Sequence, residues 1–211
     1  IGFDRSMISA YGQDDRVCTF TTMKAVLDSK SKRTIIGMFV DKEEIGSMGN
    51  TGANSRILEN FILDLTRLCR FKGAVHQLFE SSKAISADVT AAHNPNFPEA
   101  HDATNVSLLG FGVSVEKYGG GGGKYGTTDA SSEYMSWLVN LLDKARITWQ
   151  TGELGKIDLG GGGTIAQFVA KYGLDCIDVG PGVLGMHSPN ELSSKADVYS
   201  AYLAYKVFFE S

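Results

Sequence analysis

The sequence predicts a layered α/β/α domain whose central sheet is mostly parallel or mixed. Two observations predict this class. Short apolar runs rich in β-branched residues alternate with longer segments whose apolar residues recur at helical spacing. In addition, neither an internal repeat nor a linker strong enough to split the chain interrupts the 211 residues. We therefore expect one domain with a single core.

The first part of the chain predicts a helix, a strand and a second helix, in that order. Residues 18–32 carry apolar side chains at helical spacing before the chain becomes polar. The run TIIGMFVD, Thr34–Asp41, is continuous, apolar and β-branched, which is typical of a strand buried on both faces. One face of the second helix is formed by Ile57, Phe61, Ile62, Leu65 and Leu68.

The middle of the chain predicts two short strands followed by an amphipathic helix. The strands are expected at Lys83–Val89 and Leu108–Val115, where apolar and β-branched residues are concentrated. The helix is expected at Ser131–Ala145, with Ser131 or Asp129 as its N-cap.

The last third of the chain predicts a helix, a strand and a long final helix. The segment GTIAQFVAKYG predicts a helix that ends at Gly173, and LDCIDVG predicts a strand after it. Residues 191–210 have the composition of the final helix. The stretch Ser188–Glu191 predicts a capping box for that helix, with Pro189 at its first position.

Charge, hydropathy and cysteine content narrow the class of protein. A net charge of −4 and a pI of about 5.6, without a Lys/Arg cluster, argue against a nucleic-acid partner. No apolar run is long enough to cross a bilayer, and no signal-peptide pattern opens the chain, so no membrane partner is expected. Three widely spaced cysteines, an odd number, predict a reduced cytoplasmic setting.

The glycine runs do not match the loops that bind nucleotide phosphates. YGGGGGKYG would need glycine at Tyr118 and Ser or Thr at Tyr125 to be a P-loop. Residues 180–185 fit G-x-G-x-x-G, but Pro189 prevents a helix from opening directly after the last glycine. A nucleotide-binding enzyme remains an alternative, but neither glycine run supports it.

The two longest glycine runs are interpreted differently. Gly119–Gly123 predicts a flexible loop. Gly160–Gly163 precedes a predicted helix, where backbone N–H groups could approach a ligand closely. For the second run, ligand binding and a simple tight turn both remain open.

Acidic residues and one histidine fall at or near the ends of predicted strands. Asp14 and Asp15 precede the first helix, Glu43 and Glu44 follow the Thr34–Asp41 run, Asp88 closes a strand and His187 follows another. In open α/β sheets the carboxyl ends of strands are where ligand sites form. Clustered carboxylates repel one another unless a cation is present, and oxygen ligands with one imidazole suit zinc, manganese or cobalt. Taken singly, each Asp is also a plausible helix cap and the histidine a surface residue.

Five motifs then occur in the same order as in a known family: YGQDDR, DKEEIGSMGNTGA, SADVTAAHNPN, DLGGGGTIA and GMHSPNE. The chain resembles the aspartyl aminopeptidase and vacuolar aminopeptidase I family of dinuclear zinc exopeptidases. The resemblance extends over nearly the whole chain. It implies a catalytic domain of the co-catalytic zinc exopeptidase type, a separate dimerisation domain, and assembly into large homo-oligomers.

The resemblance also implies roles for individual residues. Asp14 would bridge two Zn²⁺ ions, Glu44 and His187 would complete one metal site, and Asp88 would bind the second ion. Glu43 would be the general base. The implied function is removal of N-terminal amino acids, including acidic ones, from peptides by attack of metal-activated water.

The sequence departs from the family in one important respect. The family's remaining ligand is a histidine in an H-x-D motif. None of the four histidines here has an aspartate two positions after it. Family members are also longer. We therefore expect residues 1–211 to be the C-terminal portion of the catalytic domain, without the dimerisation domain and N-terminal portion, and to need the N-terminal half of the same enzyme as a partner. The alternative is a non-catalytic metal-binding or assembly fragment.

A second group of residues is predicted to contact substrate. A lysine beside the pentaglycine could bind an acidic side chain, a surface position being the alternative for each. His93 stands one place before the position where many members have histidine, so a structural role in the Asn-Pro turn is the alternative. The candidates are His93, Lys117 or Lys124, Gly162, Gly163 and Thr164.

Overall fold

The computed structural model describes residues 1–122, 125–156 and 158–211. Within these residues the helices are α1 (Gln13–Asp28), α2 (Ile57–Leu68), α3 (Val75–Glu80), α4 (Ser132–Lys144), α5 (Ala166–Ala170) and α6 (Lys195–Glu210). The strands are β1 (Met7–Ala10), β2 (Lys83–Ser86), β3 (Thr90–Ala91), β4 (Val113–Glu116), β5 (Tyr118–Gly121), β6 (Tyr125–Asp129), β7 (Trp149–Thr151), β8 (Gly161–Gly162), β9 (Asp175–Gly180), β10 (Gly182–Leu184) and β11 (Glu191–Ser194).

The strands form mixed sheets, which confirms the predicted α/β class. One sheet has the order β2-β9-β4-β7, with β2 parallel to β9, β9 antiparallel to β4, and β4 parallel to β7. A second has the order β1-β11-β10-β3, and a third has the order β6-β5-β8. Parallel pairs occur only where a crossover connects the strands, as the chain geometry requires.

The first two sheets meet where two neighbouring segments of chain each pass from one sheet into the other. The parallel pair β2 and β9 belongs to the first sheet, and the parallel pair β3 and β10 belongs to the second. β2 is followed by β3 after three residues, and β9 is followed by β10 after Pro181. Asp88 lies in the break between β2 and β3. A Cβ atom at Gly180 would lie 1.7 Å from the carbonyl oxygen of Asp88, so only glycine fits at this approach. The break therefore positions Asp88 at the end of the ladder.

The two faces of the β2-β9-β4-β7 sheet differ in chemistry because side chains alternate along each strand. Val113 and Val115 of β4, with Ile177 and Val179 of β9, enter the main core. Helices α4 and α6 cover this apolar face with buried side chains that include Leu138, Leu142, Ala201, Ala204 and Tyr205. The opposite face buries polar groups, among them Ser86, Ser114, Glu116 and Asp178.

Several boundaries agree with the sequence prediction. Helix α4 begins after Ser131, whose side-chain oxygen accepts a hydrogen bond from the N–H of Tyr134 at 3.1 Å, so this residue is the N-cap. The strands β2 and β9 lie within their predicted segments. Helix α1 begins earlier than predicted, although Asp14 and Asp15 have non-helical dihedral angles and are joined by a cis peptide bond.

The strand predicted at Thr34–Asp41 is wrong for this structure. Residues 34–40 have no regular secondary structure and pair with no strand among the described residues. Ile36 is 38% exposed and Phe39 is 53% exposed, so the segment is not buried on both faces. The apolar composition records a tendency to be buried, whereas a strand also needs backbone partners.

The loop predicted for Gly119–Gly123 is also wrong in part, because its first three residues belong to β5. Gly120 and Gly121 pair with Gly162 and Gly161 of β8, and a Cβ at Gly120 would lie 2.4 Å from a side-chain carbon of Thr127. Close packing of the strands therefore explains these glycines. Gly123 and Lys124 lie outside the described residues.

The final helix begins at Lys195, four residues after the start of the predicted run 191–210, and the capping box at Ser188–Glu191 does not form. Glu191–Ser194 is instead strand β11, which pairs with β1 and β10. The side chain of Ser194 accepts a hydrogen bond from the N–H of Asp197 at 3.4 Å and is the N-cap of α6. The predicted helix ending at Gly173 is reduced to the five residues of α5.

Two further features complete the fold. Cys18, Cys69 and Cys176 are free thiols, and the first and last are buried. In the part of the chain that the structure describes, no helix combines the length and the apolar character that a bilayer crossing demands.

Candidate metal centre

Three side chains from distant parts of the chain converge on one point. The Nε2 atom of His187 lies 2.8 Å from Oδ2 of Asp14 and 3.1 Å from Oε1 of Glu44. Their ligand atoms all lie within 4.8 Å of one another. The side chain of Asp14 is only 11% exposed, whereas those of Glu44 and His187 are about 60% exposed. The group is thus anchored in the protein by Asp14 and open on the other side.

A single turn of 3₁₀-helix, Glu43–Ile45, presents the two adjacent glutamates. Lys42 before it and Gly46 after it both have left-handed backbones, with φ of 66° and 84°. Because a 3₁₀-helix has three residues per turn, neighbouring side chains point about 120° apart. Glu43 and Glu44 therefore face different directions, and only Glu44 joins the group with His187.

A second group shares Asp14 with the first. It consists of Asp14, Asp15 and Asp88, whose carboxylate oxygens lie within 4.8 Å of one another. Asp88 reaches it from the break between β2 and β3. Asp14 is therefore the one residue that belongs to both groups, the position that a ligand shared by two ions would occupy.

The carboxylates in this region disfavour one another's ionisation. Burial is the largest cause of a raised pKa at Asp14, and the charges of Glu44 and Glu191 add to it while His187 opposes it. Burial likewise raises the pKa of Asp15, and raises that of Asp88 well above its ordinary value, with their acidic neighbours adding to both. Burial and the charges of Glu44 and Asp14 raise the pKa of Glu43. Such crowding calls for a cation.

The donor set fits zinc. Oδ1 of Asp15 is buried and has no hydrogen-bond partner among the described residues, so a cation would satisfy an otherwise orphaned oxygen. One group offers two carboxylates and an imidazole nitrogen, which are ligand types that zinc accepts, and three protein ligands leave a fourth position open for water or substrate. The other group offers oxygen donors only.

The carboxylates line a large cavity. Its volume is about 830 Å³, and Asp14, Asp15, Glu43, Glu44 and Asp88 contribute to its wall. Residues 33–42 and apolar side chains of several helices line the remainder. Glu43 thus shares this cavity with the carboxylates among the candidate ligands, as a base acting on a reactant held there must do.

The predicted substrate contacts have other partners in this structure. Lys117 forms an ion pair with Asp129 on β6. The ring of His93 lies 5.8 Å from the ring of His101, centre to centre, and its backbone N–H donates to Ser107. Neither Lys117 nor His93 lines the large cavity.

The glycine motif before α5 also has structural partners. Gly162 pairs with Gly120, and a Cβ at Gly163 would lie 2.3 Å from the carbonyl oxygen of Gly126. The hydroxyl of Thr164 donates to Oδ1 of Asp178 at 2.6 Å. A tight packing role therefore accounts for the two glycines, and Thr164 joins the buried polar face of the sheet.

Asp15, which the sequence placed among the acidic residues near strand ends without a role of its own, completes the second group. Two further residues near the site, Asp178 and Glu191, carry roles that the sequence did not reveal. Asp178 was a polar residue inside an apolar strand, and its charge raises the pKa of both Glu43 and Asp88. Glu191 lies in the stretch predicted to be a capping box, and its carboxylate instead accepts hydrogen bonds from the backbone N–H groups of Asp14 and His187.

The comparison of this chain with known proteins agrees with the metal-binding geometry of the candidate site. The sequence model of the aminopeptidase I zinc metalloprotease family, M18, matches residues 1–209. A probable M18 family aminopeptidase 1 of Borrelia garinii is 47% identical over 218 residues, covering 100% of this chain and 47% of that protein. The corresponding Thermotoga maritima protein is 45% identical over 216 residues, with 100% and 47% coverage. The chain spans about half the length of the curated relatives it matches.

Solved structures have the same fold. An M18 family aminopeptidase from Thermotoga maritima is 45% identical with a TM-score of 0.96, covering 100% of this chain and 47% of that one. Aminopeptidase I from Clostridium acetobutylicum is 44% identical with a TM-score of 0.92 and coverage of 100% and 46%. A Saccharomyces cerevisiae mApe1 dodecamer is 25% identical with a TM-score of 0.80 and coverage of 99% and 47%.

Proposed function

Because the chain belongs to the aminopeptidase I zinc metalloprotease family, M18, we propose that it carries most of the metal-binding and catalytic side chains of a zinc aminopeptidase. Asp14 bridges the two metal sites, with Glu44 and His187 on one side and Asp88 on the other. The observation that carries this proposal is the membership of Asp14 in both groups of potential ligands.

Glu43 is the general base in this proposal. When bound, the zinc ions lower the pKa of water and polarise the scissile carbonyl group. Glu43 would take a proton from the attacking water and later deliver it to the nitrogen of the leaving amine. Its half-buried position supports this role, because Glu43 lines the same cavity as Asp14, Glu44 and Asp88 without belonging to either group of potential ligands.

We propose that the chain forms the C-terminal portion of the catalytic domain and works with the remainder of the longer polypeptide. The coverage of about half of each relative supports this arrangement. So do the unpaired residues 34–40, whose backbone and apolar side chains remain available along the wall of the cavity. The dimerisation domain and the remaining histidine ligand would belong to that remainder.

The finer properties of the protein are also proposals. The dodecamer formed by the yeast relative supports a homo-oligomeric assembly, and the three free cysteines support a cytoplasmic location. Zinc is proposed as the metal, two ions per complete site, with manganese or cobalt as substitutes. Lys117 is the candidate for binding an acidic N-terminal residue. It lies outside the large cavity and pairs with Asp129, so it would have to leave that ion pair to reach the substrate.

Metal analysis and hydrolysis of aminoacyl-4-nitroanilides by the full-length protein test the proposal together. We expect two zinc ions per chain, release of nitroaniline, loss of activity after chelation, and recovery with Zn²⁺, Mn²⁺ or Co²⁺. Comparing Asp and Glu substrates with Leu and Met substrates gives the preferred first residue. Bound zinc without hydrolysis of any of these substrates would instead favour the non-catalytic metal-binding or assembly protein.

A further inference from the structure

Glu191 makes a pair of contacts that joins two of the proposed metal ligands. Its Oε2 atom accepts a hydrogen bond from the backbone N–H of Asp14 at 3.0 Å. Its Oε1 atom accepts one from the backbone N–H of His187 at 2.8 Å. The side chain is 2% exposed, and the two residues it binds come from opposite ends of the chain.

A carboxylate buried in this way is costly unless its oxygens are satisfied. None of the ion pairs found among residues 1–122, 125–156 and 158–211 involves Glu191. Its carboxylate oxygens are instead satisfied by two backbone N–H groups, and hydrogen bonds to an ionised acceptor are shorter and stronger than neutral ones. Each oxygen is devoted to a different ligand-bearing segment.

The contact to His187 fixes an uncommon backbone. His187 has φ of 64°, in the left-handed region that residues other than glycine seldom adopt. This conformation places Nε2 of His187 beside Oδ2 of Asp14, at 2.8 Å. Glu191 holds the N–H group of that same residue, so it stabilises the conformation that aims the imidazole at the candidate metal centre.

The contact to Asp14 is reinforced by the residue before it. The side-chain amide of Gln13 donates to the carbonyl oxygen of Glu191 at 2.7 Å, and the hydroxyl of Ser193 donates to Oε1 of Gln13. Both the backbone and the side chains of strand β11 therefore form hydrogen bonds with Gln13 and Asp14. Glu191 belongs to this rigid strand, which also pairs with β1.

We propose that Glu191 is a positioning residue that sets the relative placement of Asp14 and His187 and thereby the affinity of the centre for zinc. This inference rests on the proposed function. Glu191 itself touches neither metal nor substrate. Hydrogen-bond partners that orient metal ligands in this manner contribute about 10- to 100-fold to metal affinity or activity.

Asp197 supplies a matched comparison within the same chain. Its carboxylate is fully buried, and its two oxygens accept hydrogen bonds from the backbone N–H groups of Gly110, at 2.6 Å, and Gly112, at 2.7 Å. It therefore has the same chemistry as Glu191, but the residues that it holds are not proposed ligands. Loss of either carboxylate should weaken the fold, whereas only one should weaken metal binding.

The test compares Glu191→Gln with Asp197→Asn in the full-length protein. Metal-free samples are titrated with Zn²⁺ against a chromophoric chelator, and the visible absorption of bound Co²⁺ reports the ligand geometry. We expect both variants to melt at a lower temperature than the wild type. Zinc affinity should fall about 10- to 100-fold in Glu191→Gln, with an altered Co²⁺ spectrum, and change less than about twofold in Asp197→Asn.

A third variant, Glu191→Asp, covers the case in which Glu191→Gln does not fold. It keeps the charge but is one methylene shorter, so it cannot reach both N–H groups, and its zinc affinity should also fall. Wild-type affinity in whichever Glu191 variant folds, or an equal loss in Asp197→Asn, would overturn the proposal. A wild-type protein that neither binds zinc nor hydrolyses the nitroanilides would overturn the proposed function itself.

Discussion

Nε2 of His187 lies 2.8 Å from Oδ2 of Asp14, although one residue follows strand β10 and the other precedes the regular part of helix α1. The pairing of β1 with β11 brings these two segments together. Because the sheet fixes the approach, the geometry of the candidate centre depends on the fold as a whole rather than on a flexible loop. Substitutions near the candidate centre should therefore distinguish residues that bind the metal from residues that take part in hydrolysis.

The adjacent glutamates should have separable roles. We expect Glu43→Gln to lower kcat about 100- to 10,000-fold with little change in zinc content, because a proton acceptor is lost and no ligand is removed. Glu44→Gln is the matched control at the next position, and it should lose zinc because a carboxylate beside His187 is replaced by a neutral amide. Activity and bound zinc are measured on the same samples. Equal loss of zinc in both variants would contradict the separate roles.

Removing the metal should make stability depend on pH. The pKa of Asp14, Asp15 and Asp88 is raised in the folded chain, chiefly by burial, so the folded protein without metal binds more protons than the unfolded chain above pH of about 4. The free energy of unfolding therefore falls as pH rises, by up to about 1.4 kcal/mol per pH unit for each carboxyl. Bound zinc keeps these groups ionised and should flatten the dependence.

Urea unfolding of the full-length protein between pH 5.5 and 8.5 measures this effect, once with chelator and once with excess zinc. Zinc should stabilise the protein more at the alkaline end, since binding there displaces fewer protons. Parallel curves with and without zinc would show that these carboxylates do not surround the metal.

Gly180→Ala should disturb Asp88 directly. The added Cβ would lie 1.7 Å from the carbonyl oxygen of Asp88, so the strand break must shift. We expect a loss of about 1–3 kcal/mol in the free energy of unfolding and a lower zinc content. Gly160→Ala is the control, because its Cβ would come no closer than 3.8 Å to Lys156. Urea titration and metal analysis decide the outcome, and equal effects at the two positions would count against it.

Glu116 should be neutral at physiological pH. Burial raises its pKa to about 8, with the charges of Asp178 and Glu153 adding to the effect. Because the folded pKa is above that of the unfolded chain, stability is greatest below pH of about 4.5 and is lost as pH rises through about 8. Glu116→Gln should remove a slope of about 1.4 kcal/mol per pH unit across that range.

The measurement is urea unfolding from pH 5 to 8.5, with Glu99→Gln as the control at an exposed position. At pH 5 the Glu116→Gln variant should be about as stable as the wild type, since an amide resembles a protonated carboxyl in size. If the variant and the wild type lose stability at the same rate with pH, then Glu116 is ionised in the fold.

Local signals predicted the elements that depend on local chemistry. Helix α4 combines an apolar face with a side chain that caps it, and both features are written in neighbouring residues. The start of α6 was misplaced because Ser188 and Ser194 are both plausible caps. The helix starts at the later serine because residues 191–194 form β11, which pairs with β1 at the other end of the chain. Nothing in residues 188–194 alone indicates that pairing.

The candidate site divides in the same way. Ordered motifs identified Asp14, Glu44, Asp88 and His187, and the structure brings Asp14 together with Glu44 and His187, and with Asp88. The contacts of Glu191 could not be predicted, because a carboxylate that accepts two distant backbone N–H groups leaves no pattern in the sequence. Close approaches of backbone to backbone, such as Gly180 against Asp88, are equally invisible before the chain is folded.

The unpaired segment Thr34–Val40 also has a practical consequence. Its N–H and C=O groups have no ladder partners in the described chain, and Ile36 and Phe39 stand partly in solvent. An apolar segment with unpaired backbone groups can pair with another strand, including the same segment of a second molecule. Preparations of these 211 residues alone should therefore aggregate at high concentration, and replacing Phe39 with lysine should keep them in solution longer.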